Sequence, residues 1–409
     1  MARHDAGVFI AMDEATPDHN LMDTEICHEC DLKVEIPPLG INQKALCPRC
    51  GYLLSANRAN SLARIQALAI TSLIFLFISL AFDFISFKSS GLENKVKMLD
   101  SLDILMDSGY IALAIIKLVT VFIIPAFVLC ALIYLLVFIR NGRYPWQGDR
   151  LMNMILLLIP WNMAEIFLVG TLVSLIKIVS LADIILGPSF FAFILFSIAM
   201  TATLLHIDKR QLSLALAATR AKGVADTGAT VESPHQAINP SLSIQRTWAL
   251  IITSIMLFIP ANTLPIMNTR LLGQDDPSTI IGGVLLLWHH GSYPIAMVIF
   301  IASILVPIAK ILVLIWLNYS VQTNSMSLEQ QRIVLYRIAE FIGRWSMIDI
   351  FVVIVLASLV QLGNTMSIVP GAATFAFTGV VVVTMLAAMS FEPRLIYNDK
   401  SAYEHRTTS

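Results

Sequence analysis

Four cysteines form two pairs near the N-terminus, Cys27-His-Glu-Cys30 and Cys47-Pro-Arg-Cys50, with 16 residues between the pairs. A two-residue gap lets both thiolates of a pair turn toward one ion, and C-x2-C-x16-C-x2-C lies within the spacing of a zinc ribbon. Four sulfurs close a tetrahedron and leave no position open for water, so one structural zinc is predicted rather than a catalytic one. The same ligands would also hold a rubredoxin-like iron; disulfides are disfavoured in a reducing compartment. The fifth cysteine, Cys130, lies in an apolar stretch and reads as a packing residue.

A second set of chemically capable residues sits inside apolar runs. Lys310 closes the run that begins at Ile301, and Asp349 follows Gly343-Arg-Trp-Ser-Met-Ile. Ionisable groups within a bilayer are costly and default to functional hypotheses. Ser303 lies seven residues before Lys310 and Ser346 three before Asp349, spacings that put each hydroxyl on the face of its charged neighbour. Thr384 in the last apolar run joins them. Such a set is either a buried ion pair that locks helices together or a proton relay or gate. Asn162 and Glu165 occupy the matching places in the first half, but Val128 stands where Lys310 would be. Glu165 therefore lacks the equivalent cation; either Lys117 or Lys177 serves instead, or the carboxyl is protonated. Arg344 reads as an interfacial anchor. The chain has no nucleophile elbow, Walker loop or His-Glu-x-x-His, so no catalytic residue is assigned and no enzyme is expected.

The elements that must position these groups follow from composition. Hydrophobic residues make up 57% of the 409 and charged ones 13%, against about 25% charged in a soluble domain. The mean hydropathy is +0.76. These values exclude a disordered chain, a nucleic-acid-binding protein and an ordinary cytosolic enzyme, and a net charge of −1 implies no bulk electrostatic partner. Eight apolar stretches are long enough to cross a bilayer: 65–86, 111–139, 151–177, 184–205, 247–267, 294–318, 338–360 and 368–390. The expected fold is mainly α: a polytopic membrane protein with eight transmembrane helices and a small N-terminal ribbon. Arginine and lysine dominate the loops on the side of the N-terminus, as at Arg140, Arg143, Lys209 and Arg337. Both termini are therefore expected in the cytoplasm.

The halves match at an offset of 182 to 184 residues. Pro125 aligns with Pro307, Gly109 with Gly291, Trp161 with Trp345, Glu165 with Asp349, and Gly187 with Gly371. Compositional bias would align leucines, not these residues in order. Two parallel four-helix repeats are expected, each with an even number of spans. The domains are then a flexible N-terminus (1–24), the ribbon (25–58), a first membrane module (61–210), a cysteine-free cytoplasmic linker (211–242), a second module (243–397) and a tail (398–409).

Several segments carry a resemblance to a known family. Cys-x2-Cys-Asp31-Leu32 with Cys47-Pro-Arg-Cys50, Pro260-Ala-Asn-Thr-Leu-Pro265, Phe300-Ile-Ala-Ser-Ile-Leu-Val-Pro307 and Gly343-Arg-Trp-Ser-Met-Ile-Asp-Ile-Phe351 resemble the paraquat-inducible protein A family from about residue 25 to 397. The resemblance implies a Gram-negative inner-membrane protein that works with a periplasmic mammalian-cell-entry (MCE) domain protein. It implies movement of phospholipids between inner and outer membrane, support of envelope integrity, and proton coupling through Ser303, Lys310, Ser346, Asp349 and Thr384. A second four-cysteine cluster, frequent in that family, is missing, so a single zinc is expected. The residues alone also accommodate a proton-coupled exporter of small toxic cations, or a non-transporting membrane anchor for a periplasmic conduit.

Overall fold

The computed structural model describes residues 23–397 except 38, 42, 57–59, 90–91, 108, 179–182, 224–239, 272–273, 290, 292, 324–328 and 360–365. Of the N-terminus expected to be flexible (1–24), Asp23 and Thr24 are described and open a strand; its other residues and the tail lie outside the described residues. Two antiparallel hairpins begin the chain, β1 (Asp23–Ile26) with β2 (Lys33–Ile36) and β3 (Lys44–Leu46) with β4 (Leu53–Ala56). The first half continues with α1 (Ser61–Ala81), β5 (Asp83–Ser89), β6 (Leu92–Lys97), α2 (Asp100–Asp107) and α3 (Ile111–Lys117). A π-helical turn (Leu118–Ile123) leads into α4 (Ile124–Arg140). Then come α5 (Gly148–Leu158), a 3-10 turn (Ile159–Trp161), α6 (Ala164–Ile178), β7 (Asp183–Leu186), α7 (Pro188–His206) and α8 (Lys209–Gly223).

The second half holds α9 (Pro240–Thr263), β8 (Met267–Leu271), β9 (Gln274–Ser278), α10 (Ile280–His289) and α11 (Tyr293–Phe300). A second π turn (Ile301–Leu305) leads into α12 (Val306–Gln322). The chain closes with α13 (Glu329–Trp345), α14 (Ile348–Leu359), β10 (Met366–Pro370), α15 (Ala372–Ser390) and a 3-10 turn (Pro393–Tyr397). β5 pairs with β6 and β7, and β8 with β9 and β10, all antiparallel. These sheets lie at the far end of the helices from the ribbon.

Among the described residues seven helical spans are long and apolar enough to cross a membrane: Ser61–Ala81, Ile111–Arg140, Gly148–Leu175, Pro188–His206, Pro240–Thr263, Ala296–Gln322 and Ala373–Ser390. The remaining expected stretch, 338–360, is not one continuous helix. It breaks at Ser346-Met347 into the end of α13 and α14, and the Met347 N–H bonds back to the Arg344 carbonyl at 3.2 Å. The 12 described residues of α14 cover about 18 Å at 1.5 Å per residue. The segment read as a linker begins as helix, since α8 runs to Gly223.

Small residues bring the helices together. α1 packs on α7, and α9 on α15, through buried Ala69, Ser72, Ser79 and Thr203 in one pair and Thr247, Ser254, Ala261 and Thr374 in the other. Without a hydrophobic driving force inside lipid, such close seams supply the packing that holds helices side by side. The two halves meet where α6 crosses α14: a Cβ on Gly170 would lie 3.0 Å from that of Phe351, and Ser174 donates to the Val352 carbonyl at 3.3 Å.

Gly187 and Gly371 open α7 and α15. A Cβ at either would sit 2.0 Å from the Asp83 carbonyl oxygen or 2.1 Å from that of Pro265. Their N–H groups donate instead to Phe84 (3.0 Å) and Ile266 (2.7 Å). Each π turn precedes a proline. The Ile124 and Val306 N–H groups reach carbonyls five residues back, at Val119 and Ile301. Pro125 has no N–H to give in that register, and the Thr120 carbonyl five residues before it accepts the Met163 N–H at 3.3 Å. The helix break before α6 is thus tied to the proline of the neighbouring span. Met347, the residue aligned with Met163, turns locally to Arg344 instead.

Candidate functional site: a thiol cluster and a lysine cavity

Each cysteine pair of the ribbon forms a knuckle with the same backbone bonds. In the first, Cys27 N–H donates to Leu32 (2.9 Å) and Asp31 N–H to Cys27 (3.0 Å); in the second, Cys47 N–H donates to Tyr52 and Gly51 N–H to Cys47, both at 2.8 Å. The knuckle ends in a left-handed residue, Asp31 (φ 58°) or Gly51 (φ 69°); Asp and Gly tolerate that conformation. The four sulfurs are buried and all lie within 4.8 Å of one another, with Cys27 to Cys50 and Cys30 to Cys47 at 3.5 Å. A tetrahedral ion with bonds of about 2.3 Å separates its sulfurs by about 3.8 Å, so the donor set fits a metal. Burial pushes the Cys50 thiol up to about 12 and that of Cys30 up as well. At Cys47 burial is outweighed by backbone N–H groups of Cys50 and Arg49, and its thiol falls below the usual value. A buried cluster of this kind becomes a set of thiolates when a divalent cation inverts the local electrostatics.

The ribbon is docked on both halves. Glu29 accepts from the Arg337 guanidinium on α13, whose Nη2 also donates to the Cys50 carbonyl at 2.9 Å. Arg394 Nε donates to the His28 carbonyl at 3.0 Å, and the Arg49 guanidinium lies 4.5 Å over the Tyr397 ring. On the first half, Asp208 accepts from the Ala56 N–H (2.8 Å), and Gln211 Nε2 donates to the Ala56 carbonyl (2.6 Å). None of these pairings is visible in sequence. Glu29 and Arg337 stand 308 positions apart, and no spacing rule joins them.

Lys310 is 3% exposed, and its ammonium has no hydrogen-bond partner among the described residues. It fits because residue 343 is glycine: a Cβ there would lie 2.6 Å from Nζ. The ammonium borders a cavity of about 280 Å³ between the halves, lined by Ile159 and Pro160 from one and by Arg337, Glu340, Phe341 and Arg344 of α13 from the other, with Met385, Ala388 and Met389 closing it. Arg344, read from sequence as an anchor, therefore faces this cavity; its guanidinium lies 6.0 Å over Phe341. A neighbouring cavity of about 390 Å³ under the ribbon shares Ile159 as a wall.

The other sequence-selected residues sit around this point. Ser303 is buried in the π turn, and Thr384 donates to the Val381 carbonyl of its own helix at 3.0 Å. Ser346 is buried with its hydroxyl unpartnered among the described residues. None of the three lines the cavity. Asp349 lies in the first turn of α14, but its side chain is outside the described residues, so its expected pairing with Lys310 is outside them too. In the first half Asn162 is buried with both amide atoms unpartnered among the described residues, and Glu165 is half-buried at the start of α6. Lys117 turns away from Glu165. It is buried, donates to Ser101 and to the Met98 carbonyl, and lies 5.1 Å over the Phe167 ring. Lys177's side chain lies outside the described residues. Cys130 is exposed on α4 rather than packed inside; its face of the helix is turned to the surroundings.

Fold and site together define a polytopic helical membrane protein with a four-thiol ribbon docked on one end and a cationic cavity beneath it. The profile of the paraquat-inducible protein A family matches residues 62–215 and 244–400, and the chain belongs to that family. It is 36% identical over 406 residues to the intermembrane transport protein PqiA of Escherichia coli K12, covering 93% of this chain and 97% of that one. It is 29% identical over 401 residues to the lipophilic envelope-spanning tunnel protein A of the same organism, covering 92% and 91%. A probable intermembrane transport protein of Haemophilus influenzae is 28% identical over 399 residues, covering 91% and 95%. No solved structure matches the chain significantly.

Proposed function

We propose that this protein is the inner-membrane component of a system that moves phospholipids between inner and outer membrane. It works beside a periplasmic MCE-domain protein, with both of its own termini in the cytoplasm. It acts as a transport component rather than as an enzyme. The observation that carries this is the buried ammonium of Lys310, which borders a cavity between two helical bodies in a chain whose relatives are named for intermembrane transport. A charge is retained at such depth when function needs it. Ser303, Lys310, Ser346, Asp349 and Thr384 form the intramembrane polar set and couple proton movement to lipid handling; Asn162 and Glu165 are its counterpart in the first module.

Two parallel modules, 61–210 and 243–397, make up the membrane body, with α13 and α14 supplying the eighth crossing. Support comes from the paired π turns before Pro125 and Pro307 and from Gly187 and Gly371 making the same backbone contact. The ribbon holds one structural zinc on Cys27, Cys30, Cys47 and Cys50. Purification in mild detergent followed by mass spectrometry tests the assignment. Bound phospholipid and a co-purifying MCE-domain protein are expected; a preparation with neither, from cells that express both, contradicts it. Altered cation accumulation with unchanged lipid traffic in Lys310→Met or Asp349→Asn would favour the exporter instead.

A further inference from the structure

Among the described residues the charges around the Lys310 cavity do not balance. Arg337 is held by Glu29 of the ribbon. Arg344 follows Glu340 by four residues on α13, the spacing at which opposite charges on a helix face each other. Lys310 is then the one cation bordering the cavity without a matching carboxylate among the described residues. An ammonium this buried has lost its water, and an anion beside it would offset that loss. The remaining wall is apolar: Ile159, Phe341, Met385 and Met389. One positive charge without a matching carboxylate among the described residues, set over an apolar wall, complements a singly charged anionic group attached to carbon, such as a phosphodiester. The volume, about 280 Å³, is at the lower limit of small-molecule pockets. It takes a headgroup and its first carbons, not a whole lipid.

One wall of the cavity is tied to the ribbon. Arg337 lines it and is at the same time clasped by Glu29 and by the Cys50 carbonyl, so one wall is fixed by the ribbon. Leu317, seven residues along α12 from Lys310, packs with the ribbon's core, which places the Lys310 backbone about 10 Å below that contact at 1.5 Å per residue. We propose that this cavity is a binding site for a phosphodiester-type monoanion, with Lys310 as its cationic ligand and one wall held by the ribbon through Glu29 and Arg337. It deepens the lipid-handling reading and rests on it for the source of the anion.

The test is equilibrium binding of short-chain phosphatidylglycerol to the full chain in detergent, with inorganic phosphate as competitor. We expect Lys310→Met to weaken binding at least about tenfold, or 1.4 kcal/mol, at unchanged zinc content and elution volume. Gly343→Ala keeps the charge but displaces Nζ, and it should weaken binding as well. Glu29→Gln leaves Lys310 in place but frees the Arg337 wall and should change the rates of binding and release; unchanged rates would remove the ribbon's part in the site. Competition by millimolar phosphate would support the anion site and assign it to the free ion, and lack of competition would support a lipid headgroup. Wild-type affinity in both Lys310→Met and Gly343→Ala overturns the site. If binding is unchanged while lipid traffic in cells falls, the site fails and the transport reading stands. If binding is lost while traffic is normal, the reverse holds.

Discussion

Lys310 was legible in the sequence as a charge inside an apolar run, but the residue that makes room for it was not. Gly343 lies on another helix, and a Cβ there would overlap the ammonium. No chain spacing reports a crossing of that kind. The same holds for the ribbon. The four thiols announce themselves by spacing, whereas the pairs that fasten the ribbon to the bundle, Glu29 with Arg337 and the His28 carbonyl with Arg394, are 308 and 366 positions apart, and their charges read as ordinary surface ones. Two measurements belong at this scale. Elemental analysis of the purified chain should give one zinc, and Cys47→Ser should abolish it; two zincs per chain, or full retention in Cys47→Ser, would break the assignment. Arg337→Gln leaves Glu29 buried beside the thiol cluster without its charge partner. Removing one member of a largely buried pair costs about 3–5 kcal/mol; with the guanidinium a third exposed, we expect about 1–2 kcal/mol, read as a fall in thermal stability with zinc still bound.

Among the elements, hydropathy located most of the spans, and their ends were the weak point. The run 65–86 reads as one helix, yet the chain leaves α1 at Ala81 and turns into β5. Phe82, Phe84, Ile85 and Phe87 are equally apolar in either conformation, so periodicity does not mark the change. The stretch 338–360 is similarly apolar throughout but breaks at Ser346-Met347. The matched glycines, by contrast, were visible as aligned positions, and the structure supplies their cause. An alanine at Gly187 or Gly371 would put its Cβ about 2 Å from a carbonyl oxygen. Backbone must move to accept it, at the top of or beyond the usual 1–3 kcal/mol for overpacking. Gly187→Ala and Gly371→Ala should each sharply reduce folded protein in the membrane, measured by detergent-resistant yield, while Gly283→Ala, with open space around it, should not. Wild-type yields for both would mean that these turns are not as close as described.

At the scale of the whole molecule the ribbon acts as a clasp. It precedes the first half in the chain, yet it packs on Leu317, Ile333, Tyr336 and Phe391 of the second, while Ala56 holds the first through Asp208 and Gln211. Chelation of the metal should therefore loosen both bodies together. We expect a lowered unfolding temperature for the full chain and new proteolytic cleavage in both halves, not within the ribbon alone. The orientation of the body rests on arginine and lysine bias, and a reporter fused after Ser409 should be active in the cytoplasm. The central claim is that the Lys310 cavity is where lipid is handled. Its most direct test is phospholipid exchange between inner and outer membrane in cells carrying Lys310→Met at wild-type protein and zinc levels. Exchange should fall to that of cells lacking the protein; exchange at the wild-type rate would contradict the account.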